Sequence, residues 1–394
     1  MNSRGAVRGA VVRHTHTYCI HFMLSGVLIA LSAAVPAAAQ APAPVAAPAA
    51  PAPPPKYDGW AFSAFADGYI TYNGNNPASG ANQLYNFNTQ KGQPELSLAE
   101  IGIDKSDRIF GLHFDAGLGE TLRLIHAFDP AAIDHQALRY FEQAYAIVKP
   151  GHTHGAEFDF GQFDSSAGAE LIQNSSNWNY SRSLLFAWAI PAYHFGFKST
   201  VPITKEFSAG FQLVNAWNTV WGNNDLKNIG ITTELTKPKY VWSVNYYEGP
   251  NHMGATASKR NLFDTTLLLT PNGKVNAYVN LDYGRDDRIA PATGHDSWGG
   301  IAGAARYKVS EKIAFASRIE WFGDRTGFTT GLKQDLKEVT MTGEYKHNSH
   351  LLTRLEFRHD WSDKPFYDAG SKTAAKTHLD TLTLGVIVSV GPYK

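Results

Sequence analysis

The chain has 394 residues, 43% hydrophobic and 12% aromatic, and its 35 basic residues balance its 35 acidic ones. That balance leaves no basic surface for nucleic acid, and a lone cysteine, Cys19, excludes a disulfide framework and a cysteine-ligated zinc site. Beyond residue 40 no run reaches the roughly 18 apolar residues of a spanning helix, which excludes a helical membrane bundle but not a barrel, whose strands need apolar residues only at alternate positions.

Residues 1–39 place Arg4, Arg8 and Arg13 ahead of an apolar stretch, 23–35, and end in Ala37-Ala38-Ala39. This basic, apolar, small-residue order predicts a secretory signal peptide cut after Ala39. The cut removes three cations, no acid and the only thiol. Cys19 is not a lipid-anchor site, because His16-Thr17-Tyr18 before it are not small and apolar. Residues 40–55 are built of Ala and Pro with one Gln and one Val. Such a segment has few backbone donors and favours extended conformations, so it reads as a periplasmic linker. Residues 56–394 then form one domain.

From Gly59 onward the pattern has period two. Ile313, Phe315, Ile319 and Trp321 alternate with Lys312, Ala314, Ala316, Arg318 and Glu320. Leu382, Leu384, Val386, Val388 and Val390 alternate with Thr381, Thr383, Gly385 and Ser389. Successive side chains of a strand point to opposite faces, so each segment has one apolar and one polar face. About 16 such segments (14–18 by the range of plausible boundaries) are of bilayer-crossing length. Their connections alternate in length. Residues 73–94, 118–139 and 164–192 are long, whereas 106–108, 150–154 and 202–205 are short. Short turns recur at Lys237-Pro238-Lys239 and His347-Asn348-Ser349, and longer loops at 249–260 and 285–296. Short periplasmic turns alternating with longer external loops predict a transmembrane, antiparallel, up-and-down β-barrel of the outer membrane. A Greek-key sandwich has no reason to alternate so. Aromatic residues near segment ends, among them Trp60, Tyr69, Tyr72, Tyr145, Trp242, Trp321 and Trp361, are read as interfacial girdles.

The polar faces carry Arg318, Glu320, Arg354, Glu356 and Arg358. A charge turned to lipid at mid-membrane costs about 2–4 kcal/mol, so these groups must face the lumen, where they meet water or one another. The longest connection contains Asn174-Ser175-Ser176-Asn177-Trp178-Asn179-Tyr180-Ser181-Arg182-Ser183 and is too aromatic to be disordered. It is expected to fold into the barrel and narrow it. Asp164, Glu170, Asn177, Asn179, Tyr180 and Arg182 would then line a constriction together with the five wall charges. The alternative is a cap resting on the rim. Enzymatic signals are poor: there is no G-x-S-x-G elbow, Walker loop or H-E-x-x-H, and Gly117-Leu118-Gly119 lacks a third glycine. His152 and His154 read as a solvated pair, and Asp286, Asp287 and Asp296 as a hydrophilic loop, so no metal or cofactor is expected.

Several stretches resemble the β-barrel porin-2, OmpL-like family: Ala167-Gly168-Ala169-Glu170, then Trp178-Asn179-Tyr180-Ser181-Arg182-Ser183-Leu184-Leu185-Phe186 and Ala189-Ile190-Pro191. Leu281-Asp282-Tyr283-Gly284-Arg285 and Asp360-Trp361-Ser362-Asp363-Lys364-Pro365 are similar too. The resemblance implies an outer-membrane, porin-like protein and supplies no substrate. The reading is a non-enzymatic channel for passive diffusion of small hydrophilic solutes, in contact with outer-membrane lipids and compatible with a homo-oligomer. The competing readings are a plugged barrel acting as a surface receptor or adhesin through its long loops, an outer-membrane hydrolase, and a soluble secreted β-protein.

Overall fold

Alternation of apolar and polar residues commits each segment to a strand with one face for lipid and one for the interior. The only arrangement that leaves no unpaired edge in a membrane is a closed ring. The computed structural model describes residues 59–391 apart from 128, 130–132, 152, 154, 223–224 and 290–291. The expected signal segment, the linker, and the His152 and His154 pair lie outside the described residues.

The strands are β1 (Trp60–Asn73), β2 (Glu95–Ser106), β3 (Phe110–Leu118), β4 (Phe141–Val148), β5 (Glu157–Asp164), β6 (Tyr193–Pro202), β7 (Phe207–Val214) and β8 (Asn228–Lys237). They continue with β9 (Tyr240–His252), β10 (Ala255–Leu269), β11 (Val275–Asp287), β12 (His295–Lys308), β13 (Ile313–Asp324), β14 (Gln334–Lys346) and β15 (Leu351–Ser362). A side hairpin of β16 (Tyr367–Ala369) and β17 (Ser371–Lys376) precedes β18 (His378–Val390). Sixteen of these form the barrel, each paired antiparallel with its neighbours, and β18 closes the ring between β15 and β1. The expected architecture and strand number are those observed.

The expected loop at 249–260 is largely a strand hairpin: β9 and β10 pair up to His252 opposite Ala255, around Met253 and a left-handed Gly254. Beyond the lipid belt both faces can be polar, so the ladder continues where the alternation that reveals it has stopped. Outward residues such as Ile313, Phe315 and Ile319 stay exposed, as do Leu382, Leu384, Val386 and Val388. That belt far exceeds the apolar patches soluble proteins tolerate and is the surface offered to lipid. Two of the expected girdle aromatics face inward instead. Tyr69 is buried and donates to Glu120, and the ring of Tyr145 packs against His113 and Phe163. Their β-propensity, not an interface, explains them.

The hydrophobic core sits inside the ring. Leu84, Tyr85 and Phe87 of loop 1 (74–94), Leu122 and Ile125 of loop 2 (119–140), and Ile172, Tyr180, Leu184 and Leu185 of loop 3 (165–192) pack with inward wall residues such as Tyr247, Trp298 and Phe322. Loop 2 contains a short helix, α1 (Glu120–Ile125), and loop 3 another, α2 (Leu184–Trp188). No helix among the described residues is long and apolar enough to cross a membrane.

Candidate functional site

Loop 3 leaves the wall after β5, crosses the lumen and returns at β6, as the expected inward fold requires. Its path is fixed by wall side chains that bond to its backbone. The Glu356 carboxylate accepts the amides of Tyr180 (2.5 Å) and Ser181 (2.9 Å) on its two oxygens. Glu320 does the same for Leu184 (2.7 Å) and Leu185 (2.6 Å), the first amides of α2, while Ser183 caps that helix by accepting from Phe186. These amides have no intrahelical partner, and a carboxylate is the strongest acceptor available to them.

Three arginines complete the anchorage from the acceptor side. Arg318 donates to the Ser181 carbonyl (2.8 Å) and pairs with Glu338 and Glu170, each at 2.6 Å. Arg354 donates to the carbonyls of Asn174 (2.8 Å) and Asn177 and pairs with Glu344 at 3.0 Å. Arg358 donates to the Arg182 carbonyl (2.7 Å), pairs with Asp360 (2.7 Å) and stacks over the Tyr85 ring of loop 1. Arg318 on β13 and Arg358 on β15 flank β14 at one level, because both stand opposite Thr340, and Arg354 lies four residues before Arg358 on β15.

Within loop 3, Arg182 turns back on its own segment, donating to the carbonyls of Leu171 (2.9 Å), Ile172 (2.5 Å) and Tyr180 (2.8 Å), with Phe87 and Phe186 against its guanidinium. Asn177 bridges to both the amide and the carbonyl of Leu171. Asn179 and Tyr180 reach the wall, at Thr342 (2.8 Å) and Asp67 (3.1 Å). The Tyr180 ring lies so close to Gly385 that a Cβ there would stand 2.1 Å from it, so only glycine fits. Burial would raise the Glu170 carboxyl, but the Arg318 guanidinium and the Ser183 amide outweigh it and hold it below the usual carboxylate range.

Ten of the eleven residues expected at the constriction therefore meet in one network. They do not meet water: Arg318 and Arg358 are 0% exposed, Arg354 and Arg182 2%, Glu356 1%. Their charges are satisfied by loop backbone and by one another, so they hold loop 3 in place rather than form a wet surface. Asp164 stands apart. It ends β5 beside Gln143, whose amide nitrogen lies 3.2 Å from Asp115 and 3.3 Å from His113, on the opposite arc of the ring. The residues missed by sequence reasoning include Glu338, Asp67 and the acidic group of that arc, Asp104, His113 and Asp115, with His113 2.7 Å from each carboxylate. Period two marks them as inward, but nothing in the sequence says which inward group meets which. Asp286, Asp287 and Asp296 hold His252 and Arg260, Arg285, and Arg288 respectively, ion pairs rather than a calcium site.

Inward side chains with solvent access gather toward the short turns, among them Glu157, Lys198, Thr232, Asn276, Arg306 and Lys308.

The family model described as "Putative beta-barrel porin-2, OmpL-like" matches residues 59–390. No curated protein matches the sequence. Among solved structures, the anion-selective porin from Comamonas acidovorans superposes with a TM-score of 0.58 at 10% identity, over 84% of this chain and 99% of that one. The outer membrane channel DcaP of Acinetobacter baumannii gives 0.56 at 7% identity, over 85% and 99%. The in-vitro folded OmpT of Vibrio cholerae in its trimer form gives 0.50 at 13% identity, over 84% and 99%. At such identities the likeness is one of fold.

Proposed function

The chain belongs to the β-barrel porin-2, OmpL-like family, a porin-like channel protein of the outer membrane, and from that premise we propose that it passes small hydrophilic solutes by passive diffusion through a lumen narrowed by loop 3. The observation that carries the reading is the charge-to-backbone anchorage of loop 3. Five wall side chains, Arg318, Glu320, Arg354, Glu356 and Arg358, bond to loop backbone inside the ring. A buried carboxylate or guanidinium without partners is costly, so these groups fix where the obstruction sits. Selectivity then comes from the width left beside the loop and from the charges lining it. In this reading Glu170, Asn177, Asn179, Tyr180 and Arg182 shape the constriction, and Asp164 belongs to the opposite, acidic side of the passage. The barrel acts by permeation and carries out no chemistry, and its apolar outer belt would serve both lipid contact and association with further copies.

Single-channel recording of the refolded mature barrel in a planar bilayer tests this. Small, stepwise currents that scale with salt are expected. A protein that inserts with the mobility of a folded barrel but never conducts would overturn the channel reading in favour of a plugged receptor or adhesin.

A further inference from the structure

Beneath loop 3, at the short-turn end of the lumen, lies a cavity of about 290 Å³, close to the lower bound of ligand-sized pockets. Its wall carries Arg306, Lys346 and Arg354, and a groove running on from it adds Lys308 and Lys312. Two carboxylates answer these five cations, Glu344 and Glu311. Glu344 is shared between Arg306 and Arg354, and Arg354 is already engaged with loop carbonyls. Glu311 is an exposed partner of Lys308, a pairing that contributes little in water. Lys346 has no carboxylate within ion-pair distance among the described residues. The result is surplus positive charge in a concavity, where low-dielectric walls concentrate its field.

The same cavity has a non-ionic side. The Ser175 hydroxyl is buried against it and makes no hydrogen bond. The half-buried Trp178 indole forms another wall, its ring 5.2 Å from that of Tyr278, and Leu352 and Ile387 add apolar surface. Surplus cations, an unpartnered hydroxyl and an aromatic face are complementary to an acid group on a hydroxylated carbon skeleton. We infer that this vestibule is a binding site for a small hydroxylated organic anion, a sugar acid. Arg306 and Lys346 take the carboxylate, Ser175 bonds a hydroxyl, and Trp178 packs on the carbon face. The site deepens the channel reading and rests on it for direction, since it would hold the solute at the periplasmic mouth.

The test is equilibrium titration of the refolded barrel with glucuronate, with glucose as the neutral control, followed by tryptophan fluorescence and by calorimetry. Wild type is expected to bind glucuronate in preference to glucose, with affinity falling as salt rises. Arg306→Gln with Lys346→Gln should weaken binding by about tenfold. Lys346→Gln alone changes an exposed side chain, so it keeps the test readable if the double variant does not fold, and it should give part of the same loss. Equal binding of glucose and glucuronate, no binding of either, or variants that bind as wild type would overturn the proposal. The titration reads the site whether or not the barrel conducts, so a silent barrel that still binds glucuronate fails the channel reading alone.

Discussion

Glu356 shows how much one side chain decides. Its two oxygens receive two consecutive amides of loop 3, and one of them also receives the Thr342 hydroxyl at 2.9 Å. Glu356→Gln keeps the shape but replaces one acceptor oxygen with a donor, which would face an amide that also donates. Leaving a buried donor unsatisfied costs about 1–3 kcal/mol. Glu356→Gln is therefore expected to lower the unfolding midpoint and to make channel current noisier as the loop samples undocked positions, whereas Glu234→Gln, at an exposed inward position, should do neither. Identical melting and identical current noise in the two variants would show that the Glu356 bonds do not hold the loop. Alternation in the sequence places Glu356 on the inner face. What it bonds to, 176 residues away in sequence, is decided by how the loop crosses the lumen, and no local pattern encodes that.

At the scale of the element, loop 3 was legible in outline. Its length and its mixture of Asn, Ser, Trp and Tyr mark it as ordered and inward. Its helix is only five residues long, too short to leave a periodic signal, and its apolar anchors Leu184 and Leu185 look like any strand pair. The strands were easier because each must match a two-residue repeat imposed by lipid on one side. That constraint ends at the membrane surface, which is why the upper part of the β9–β10 hairpin read as a loop. Removing residues 174–183 takes away the segment that reaches Asp67, Thr342 and Glu356 while leaving every barrel ladder intact. The deletion is expected to raise single-channel conductance several-fold, with stability reduced by the lost core contacts. Unchanged conductance would place the narrowest point elsewhere, in loop 1 or loop 2, whose Tyr85 and Leu122 share the same core.

At the scale of the whole molecule the usual logic of a soluble protein is inverted: the core and its ion pairs lie inside the ring, and the exposed apolar residues outside it. The average composition could not reveal this, because it sums both faces of every strand; only their order does. The inversion makes a demand on the outer belt that can be tested at one site. Ile319 is 53% exposed, stands opposite Gly303 and Val339 in the middle of its ladders, and touches nothing in the lumen network. Ile319→Arg leaves the interior unchanged, so in a soluble protein it would be nearly neutral. Facing hydrocarbon near the bilayer midplane, it should cost about 2–4 kcal/mol. The same substitution at Tyr345, nearer the short-turn end of β14 where a long side chain can reach the interface, should cost about 1 kcal/mol or less. Reversible folding into phospholipid vesicles measures both. A large penalty for Ile319→Arg with a small one for Tyr345→Arg would locate the hydrocarbon zone on the barrel wall. Equal penalties at the two positions would mean that the belt does not sit in lipid at the height the ladder assigns to it, and the boundary between vestibule and membrane would have to be redrawn with it.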